Sequence, residues 1–515
     1  MGPDGPLGQI ATVTSPLPDS TARAFITVGC MASTIMVALD GTIAQVALPR
    51  MQSAMQATSD QIVWVLTSYF IATAIMIPLT GWLAGRIGRK PVMVASVLGF
   101  TLASLACGMA TNIEQLVLFR LLQGASGASL VPLSQAVMLD INPPERHGQA
   151  MALYGMGAIL GPVVGPSLGG WLTDTMGWRW IFLINLPIGI GALLLYSIFL
   201  DRRRDADSAP FDLSGFLLLS TFIASSQLML DRGEQKDWFD SAEIRIEATI
   251  AVLFGFLALV HMFTVRNPFI KPKIFADRNF LVGMTITVAH AMLIFAVLAL
   301  MAPMMQQLMG YPVMLTGLIA APRGLGTMAA MFTAGQIINR VDARYMMMFG
   351  LALASFSLWM MAHFNLEMGS WPMIWIGFVQ GYGGGLVFVP MTTLMLATIA
   401  SELRNETASL ISLFRNMAAA IGIAALQALT IRNTATVHSR LTETVRPDNP
   451  VLPLGQPGAD FGVSSWIAGM DRIIARQAAM VAYVDSYWLL AMALACVIPL
   501  CLLLDKPKRP GAKKP

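Results

Sequence analysis

The sequence predicts an all-α polytopic membrane protein: two six-helix halves, with two further helices inserted between them, making fourteen transmembrane helices. Three observations predict it. Only 12% of the 515 residues are charged and 56% are hydrophobic, with a mean hydropathy of +0.65, whereas a soluble domain carries about 25% charged residues. Apolar runs of ~20 residues, the length that crosses a bilayer's hydrocarbon core, follow one another almost without a break. A short glycine-and-arginine loop recurs 254 residues further on.

Residues 1–23 are rich in Pro, Gly, Ser and Thr without periodicity and read as a disordered cytoplasmic tail. The apolar run that follows is too long for a signal-peptide core and has no cleavage site after it, so it is a retained span. The six spans of the first half (24–200) fall at 24–48, 62–84, 91–111, 114–138, 148–173 and 179–200. A linker region, 201–265, carries two inserted spans at 211–230 and 246–265. The second half, 279–504, has spans at 279–302, 313–338, 345–364, 371–398, 405–430 and 485–504. Within it, 431–484 reads as an outer loop, polar around 448–462 and helical from 465 to 483, and 505–515 as a basic cytoplasmic tail.

Orientation follows from Lys and Arg in the connections. With both termini cytoplasmic, 20 of the 33 basic residues fall inside, 10 outside and three within the membrane. The net charge of +4 is small, and no nucleic-acid partner is expected. Cys30, Cys107, Cys496 and Cys501 all lie in apolar runs, without metal-ligand spacing or a disulfide framework. A membrane-embedded enzyme would need a clustered nucleophile, base or metal set. The chain has no His-Glu-x-x-His, no Cys/His cluster and no phosphate-binding Gly-x4-Gly-Lys-Ser/Thr. Catalysis and ATP drive are therefore set aside, and no cofactor is expected beyond a proton gradient.

The repeat joins spans two and three as Thr80-Gly81-Trp82-Leu83-Ala84-Gly85-Arg86-Ile87-Gly88-Arg89-Lys90, and spans ten and eleven as Ala334-Gly335-Gln336-Ile337-Ile338-Asn339-Arg340-Val341-Asp342-Ala343-Arg344. Two parallel halves fit a secondary transporter that rocks about a midplane site. The two loops read as cytoplasmic gates, with Gly81, Arg86, Gly88, Arg89 and Arg340 as the working positions, or as plain positive-inside anchors.

Asp40 is the residue that calls for explanation, because an ionisable group inside a span is costly and marks a functional site by default. It lies roughly 12 Å inside the outer end of span one, and Arg120 roughly 9 Å inside the same end of span four, at ~1.5 Å per helical residue. Burial favours a neutral carboxyl and a nearby Arg favours the carboxylate. A pair that opens and closes therefore ties proton affinity to conformation; a static interhelical pair is the plainer alternative. Arg323, Arg415 and His290 lie roughly 15 Å deep in the second half, with Gln123, Gln380 and Asn185 as neutral polar neighbours. Acid in one half and excess positive charge in the other suggest a cavity for neutral or weakly acidic lipophilic molecules. Structural arginines and a satisfied core histidine are the alternatives. Trp64, Tyr69, Phe70, Tyr154 and the 36 Met residues could supply adaptable apolar surface or simply face lipid.

These residues together resemble the fourteen-span EmrB/QacA-type drug:proton antiporters of the major facilitator superfamily, across nearly the whole chain. The resemblance rests on Leu39-Asp40-Gly41-Thr42-Ile43 to Pro49, on Gly81 to Lys90, and on Arg120-Leu121-Leu122-Gln123-Gly124. It continues through Gly161-Pro162-Val163-Val164-Gly165-Pro166-Ser167-Leu168-Gly169-Gly170 and Trp178-Arg179-Trp180-Ile181-Phe182-Leu183-Ile184-Asn185-Leu186-Pro187. Gly85 stands where the superfamily's loop often carries Asp. The resemblance implies export of lipophilic drugs across a bacterial inner membrane. It also implies proton coupling through Asp40 and Arg120, and a hinge or seal built from Gly157, Gly161, Pro162, Gly165, Pro166, Gly169 and Gly170. By likeness to the EmrB branch it further implies a periplasmic adaptor and an outer-membrane channel as partners. A transporter of a specific metabolite, fatty acid or siderophore on the same fold is the competing expectation, because fold does not fix function.

Overall fold

The computed structural model describes residues 19–201, 210–338, 340–399, 403–443, 445 and 464–505. The first half comprises α1 (Ser20–Met55), α2 (Ser59–Ile87), α3 (Arg89–Met109), α4 (Ile113–Asp140), α5 (His147–Thr175) and α6 (Trp180–Phe199). The inserted pair is α7 (Leu213–Arg232) and α8 (Ala242–Thr264). The second half comprises α9 (Arg278–Leu308), α10 (Val313–Ile337), α11 (Ala343–Met361), α12 (Ser370–Ala397), α13 (Arg404–Glu443) and α14 (Ser464–Val497). Twelve of these are long and apolar enough to cross a membrane; α10, which carries Arg323, and the short α11 are the other two.

Local sequence sets the helix ends. Thr58 and Gln61 form a reciprocal capping box at the start of α2, with bonds of 3.0 and 3.3 Å. Asn112, Asp212 and Asp277 cap α4, α7 and α9 through backbone N–H bonds of 2.8, 2.9 and 2.7 Å. α4 breaks at Ala128–Ser129, where Pro132 can supply no N–H to the carbonyl of Ala128. Two helices overrun the expected spans. α13 continues unbroken to Glu443, and α14 is already helical at Ser464, so the expected outer loop 431–484 is mostly helix at both ends. The polar stretch at 448–462 lies outside the described residues, as do 1–18, 202–209 and 506–515, which include most of both tails.

The two halves repeat at the level of single contacts. A Cβ at Gly124 of α4 would lie 2.3 Å from the carbonyl oxygen of Tyr69 and 2.9 Å from Thr73 Oγ1 on α2. A Cβ at Gly381 of α12 would lie 1.8 Å from the carbonyl oxygen of Arg323 and 2.9 Å from Thr327 Oγ1 on α10. Likewise α5 meets α1 where Gly161 faces Ala38, and α13 meets α9 where Gly422 faces Met292. Only glycine allows backbones this close. Because Tyr69 and Arg323, Thr73 and Thr327, and Ala38 and Met292 are all 254 residues apart, the loop repeat extends into the membrane core.

The halves meet along α5–α10 and α2–α13. Gly148 packs on Ile338 and Gly324 on Val163, while Gly81 packs on the backbone of Glu406. At the end carrying the Gly81–Lys90 loop, hereafter the basic end, Asp140 of α4 bonds both Arg89 of α3 and, at 3.2 Å, Arg404 of α13. One hydrophobic core runs through both halves. At the opposite end the first half has a separate core, from Leu39, Ile43 and Met51 to Ile181 and Phe182. The molecule is thus closed between its halves at the basic end.

The inserted pair attaches to the outside of α2 and leaves α8 almost bare, with only 6% of its most apolar window buried. A bare apolar face suits lipid contact. Asp212 ties the pair's basic end together, accepting from His261 Nε2 at 2.8 Å and from the backbone N–H of Phe269 at 3.0 Å. Desolvation works against the Asp212 charge, but these hydrogen bonds outweigh it and hold its pKa below the usual carboxylate value.

Candidate functional site

The acid on α1 is locked into a network that lies wholly within the first half. Arg120 Nη1 donates to Asp40 Oδ2 at 2.5 Å, and Gln123 Nε2 and Asn185 Nδ2 each donate to Asp40 Oδ1 at 2.9 Å. Both members of the ion pair are 0% exposed. Arg120 also donates to Gln123 Oε1 at 2.9 Å and, through Nε, to the carbonyl of Val65 at 3.0 Å. Its guanidinium lies 4.1 Å from the Tyr69 ring centroid and 5.7 Å from that of Phe182. Ser104 of α3 gathers the amides: its Oγ accepts from Gln123 and Asn185, each at 3.1 Å, and donates to the carbonyl of Phe182 at 2.9 Å. Spacing explains this convergence. Arg120 and Gln123 are three residues apart on one helix face, and α6 breaks near Ile184, which brings Asn185 to a helix start.

Tyr69 and Gln123 therefore stand in the acid network, walled into the first half, rather than on a surface between the halves. Trp64, 36% exposed, lies nearer the opposite end, where Arg232 of the inserted pair sits 5.6 Å above its ring. Ser104 is a member of the network that sequence reasoning did not single out. A lone serine in an apolar span carries no signal of its own.

The second half is differently provided. Arg323 Nη2 donates to the carbonyl of Ile294 at 3.2 Å, while Nη1 is buried without a partner. His290, one turn before Ile294, lies within electrostatic range of Arg323, and its Nε2 is also buried and unpartnered. Gln380 is 1% exposed and neither of its amide atoms has a partner. Arg415 of α13 approaches Tyr154 of α5 across the halves, beside Thr34 and Gln135. No ion pair among the described residues includes Arg323, Arg415 or His290.

The glycine–proline stretch of α5 lies against α1, around the acid. Gly161 faces Ala38 and Leu39, Gly165 faces Thr42, and Gly169 faces Ile43. Gly157 meets Met31 at 3.5 Å, and Gly170 is open. Pro162 and Pro166 are inside the helix without ending it. Thr42 Oγ1 bridges the two helices, donating to the carbonyl of Gly161 at 3.4 Å. This packing places α5 between the Asp40 helix and α10.

In the loop motif, Gly88 takes φ +92° and joins α2 to α3. Arg89 reaches Asp140, whereas Arg86 is exposed over Trp82 and Arg340 is exposed at its own turn. The bond across the halves is made by Asp140 and Arg404, neither of which the sequence pattern marks as a gate. Lys271 and Glu406 pair at 2.9 Å close by.

The comparisons with known proteins agree with this architecture. The Major Facilitator Superfamily pattern matches residues 30–423. The chain is 33% identical over 475 residues to "Multidrug export protein EmrB" of Escherichia coli strain K12, covering 90% of this chain and 92% of the relative. It is 32% identical to "Fatty acid resistance protein FarB" of Neisseria gonorrhoeae, covering 95% and 97%. It is 33% identical to "Multidrug resistance protein B homolog" of Mycobacterium tuberculosis strain H37Rv, covering 78% and 75%. Among solved structures, the human organic anion transporter MFSD10 (TETRAN) superposes with a TM-score of 0.56 at 15% identity, covering 92% of this chain and 98% of that one, a likeness of fold alone. This chain is a multi-pass membrane protein that belongs to the major facilitator superfamily, in its EmrB-like branch.

Proposed function

We propose that the chain is a proton-coupled antiporter that exports lipophilic drugs or other toxic small molecules across the bacterial inner membrane, with Asp40 as the proton carrier. The observation that carries this reading is the fully buried Asp40–Arg120 pair with its amide donors. Arg120, Gln123 and Asn185 all donate to the Asp40 carboxyl oxygens. A proton arriving there removes the charge that Arg120 is paired with, and a buried ion pair that loses one partner costs about 3–5 kcal/mol. Protonation must therefore accompany a rearrangement that gives Arg120 new partners or water. Through the Gly161, Gly165 and Gly169 contacts, any movement of α1 is passed to α5 and on to α10. Proton occupancy is thereby linked to how the halves pack. Arg120, which keeps its proton at physiological pH, acts as the modulator.

Both termini are read as cytoplasmic, from the excess of Lys and Arg at the basic end. The overlong α13 and α14 support an adaptor-bound exporter with an outer-membrane channel. A helix of 40 residues is about 60 Å long, twice the ~30 Å hydrocarbon core. His438–Asp471 and Asn433–Asp485, at 3.0 and 2.8 Å, tie the two projecting segments together.

The test is drug transport into inverted membrane vesicles, which is efflux in the cell's sense, under an imposed pH gradient. Asp40→Asn, close in size and still able to hydrogen-bond, is expected to abolish gradient-driven efflux while the protein remains folded. Near-normal efflux would remove Asp40 from the carrier role.

A further inference from the structure

The repeat that aligns the two halves also shows what one of them lacks. Tyr69 corresponds to Arg323, and the Gln123-Gly124 pair to Gln380-Gly381. The position of Arg120 corresponds to Gly377, and that of Asp40 to Ile294. In the first half a cation on α4 lies over an aromatic ring on α2 and is paired with an acid on α1. In the second half the cation has moved to α10, the α12 position is a glycine, and the acid position is an aliphatic side chain. A Cβ at Gly377 would meet nothing nearer than Arg323 Cβ at 3.8 Å, so a methyl-sized gap lies beside the arginine at the position where the first half carries Arg120.

Polar groups on the three helices around that gap are unsatisfied. Arg323 Nη1, His290 Nε2 and both Gln380 amide atoms are buried without partners. Gly384, one turn from Gln380 on α12, would bring a Cβ to 3.7 Å from His290 Nε2. Leaving a buried polar group unpaired costs about 1–3 kcal/mol and more for a charged one, so a set of this kind, with no side-chain partner for any of the three, calls for a partner that the chain does not supply. A guanidinium, an imidazole and a primary amide offer N–H donors together, and no carboxylate among the described residues neutralises the charge.

We propose that Arg323, with His290 and Gln380, forms an oxyanion subsite that takes the carboxylate of a lipophilic organic acid, the substrate supplying in the second half the negative charge that Asp40 supplies in the first. The apolar body of the acid would run along α9 toward Met301, Met304 and Met305, which are buried in the core here and would have to repack around it. The same subsite repels lipophilic cations. This deepens, and rests on, the reading of the chain as an exporter of lipophilic small molecules.

Purified full-length protein in nanodiscs at neutral pH, with no proton gradient, is titrated with three probes: dansyl-undecanoate, its methyl ester, and the lipophilic cation tetraphenylphosphonium. Wild type is expected to bind the carboxylate at least about tenfold more tightly than the ester, the worth of a charge-assisted hydrogen bond, and to bind the cation more weakly than either. Arg323→Gln should lose about tenfold or more in carboxylate affinity and leave ester affinity unchanged, and Arg323→Lys should retain part of the preference. Gln380→Leu should lose a smaller factor, again for the carboxylate alone. Equal affinity of wild type for acid and ester would overturn the proposal. So would equal loss of both ligands in Arg323→Gln, which would show a packing role instead. Binding here needs no gradient, so a failed subsite and a failed proton carrier are told apart: the subsite is read from the acid-to-ester affinity ratio in wild type and Arg323→Gln, and the carrier from gradient-driven transport in Asp40→Asn.

Discussion

The two halves of this molecule share a backbone plan to the level of single glycine contacts and use it for opposite electrostatics. In the first half each polar residue around Asp40 makes at least two bonds: Arg120, Gln123, Asn185 and Ser104 interlock at 2.5–3.1 Å, and only Arg120 Nη2, Asn185 Oδ1 and the Tyr69 hydroxyl are left over. In the second half the equivalent positions hold Arg323, Gln380 and Ile294, and the cation has one backbone carbonyl for company. A densely bonded buried network holds one structure firmly, whereas side chains with one bond or none leave polar capacity unused. On the proposed reading, this pseudo-symmetric transporter keeps its ion-carrying and ligand-carrying duties in separate halves while both ride on one packing pattern.

The largest effect that could break this comparison is on stability. Arg120→Met strands Asp40 in a site without water or cation and should lower the unfolding free energy by about 3–5 kcal/mol, read as a large drop in melting temperature in detergent. Arg323→Gln removes a cation that has no acid partner and should shift stability by less than about 1 kcal/mol. Similar losses from both would mean that the halves are energetically alike and that the second arginine is structural after all.

A smaller effect would sharpen the repeat itself. Gly124→Ala and Gly381→Ala each drive a methyl into a neighbouring carbonyl oxygen, at 2.3 and 1.8 Å before relaxation, and overpacking of this kind costs about 1–3 kcal/mol. The two losses should match within a factor of two. Gly377→Ala, whose methyl would make an ordinary contact with Arg323 Cβ at 3.8 Å, should be neutral within about 0.5 kcal/mol. A loss at Gly377 as large as at Gly381 would show that the room assigned to a ligand is filled by packing.

How much of this was legible in the sequence depends on what carries the information. Fourteen spans and the 254-residue repeat are periodic signals, and they survive without any knowledge of neighbours. The Asp40–Arg120 pair was legible because two opposite charges at one depth in apolar spans have few other places to go. Tyr69 was not: an aromatic in a membrane helix looks the same whether it lines a cavity or stacks on a buried guanidinium. Ser104 could be found only once the helices were packed. The projection of α13 to Glu443 was hidden because Arg432 to Arg440 form a polar, charged stretch. Such a stretch reads as loop until the helix before it is known to continue into water.

Asp140 and Arg404 were hidden most completely, being 264 residues apart, and they give the smallest and last prediction. Gly85 leaves the loop motif without the acid its superfamily often carries, and here a carboxylate from the end of α4 reaches Arg89 within the first half and Arg404 in the second. The three side chains are 15–21% exposed, so the link across the halves is worth no more than about 1 kcal/mol. A change of that size moves a two-state equilibrium roughly fivefold. Asp140→Asn should therefore loosen the basic end without unfolding the protein. Ile338, which packs on Gly148 between the halves, is the place to read it. With Ile338→Cys in a background lacking the native cysteines, Asp140→Asn should raise the rate of labelling by a charged maleimide by up to about fivefold. Arg89→Gln, which removes only the contact within the first half, should raise it less. If Arg89→Gln matched Asp140→Asn, the closure would depend on how α3 and α4 hold the carboxylate, and the Arg404 contact would be incidental to it.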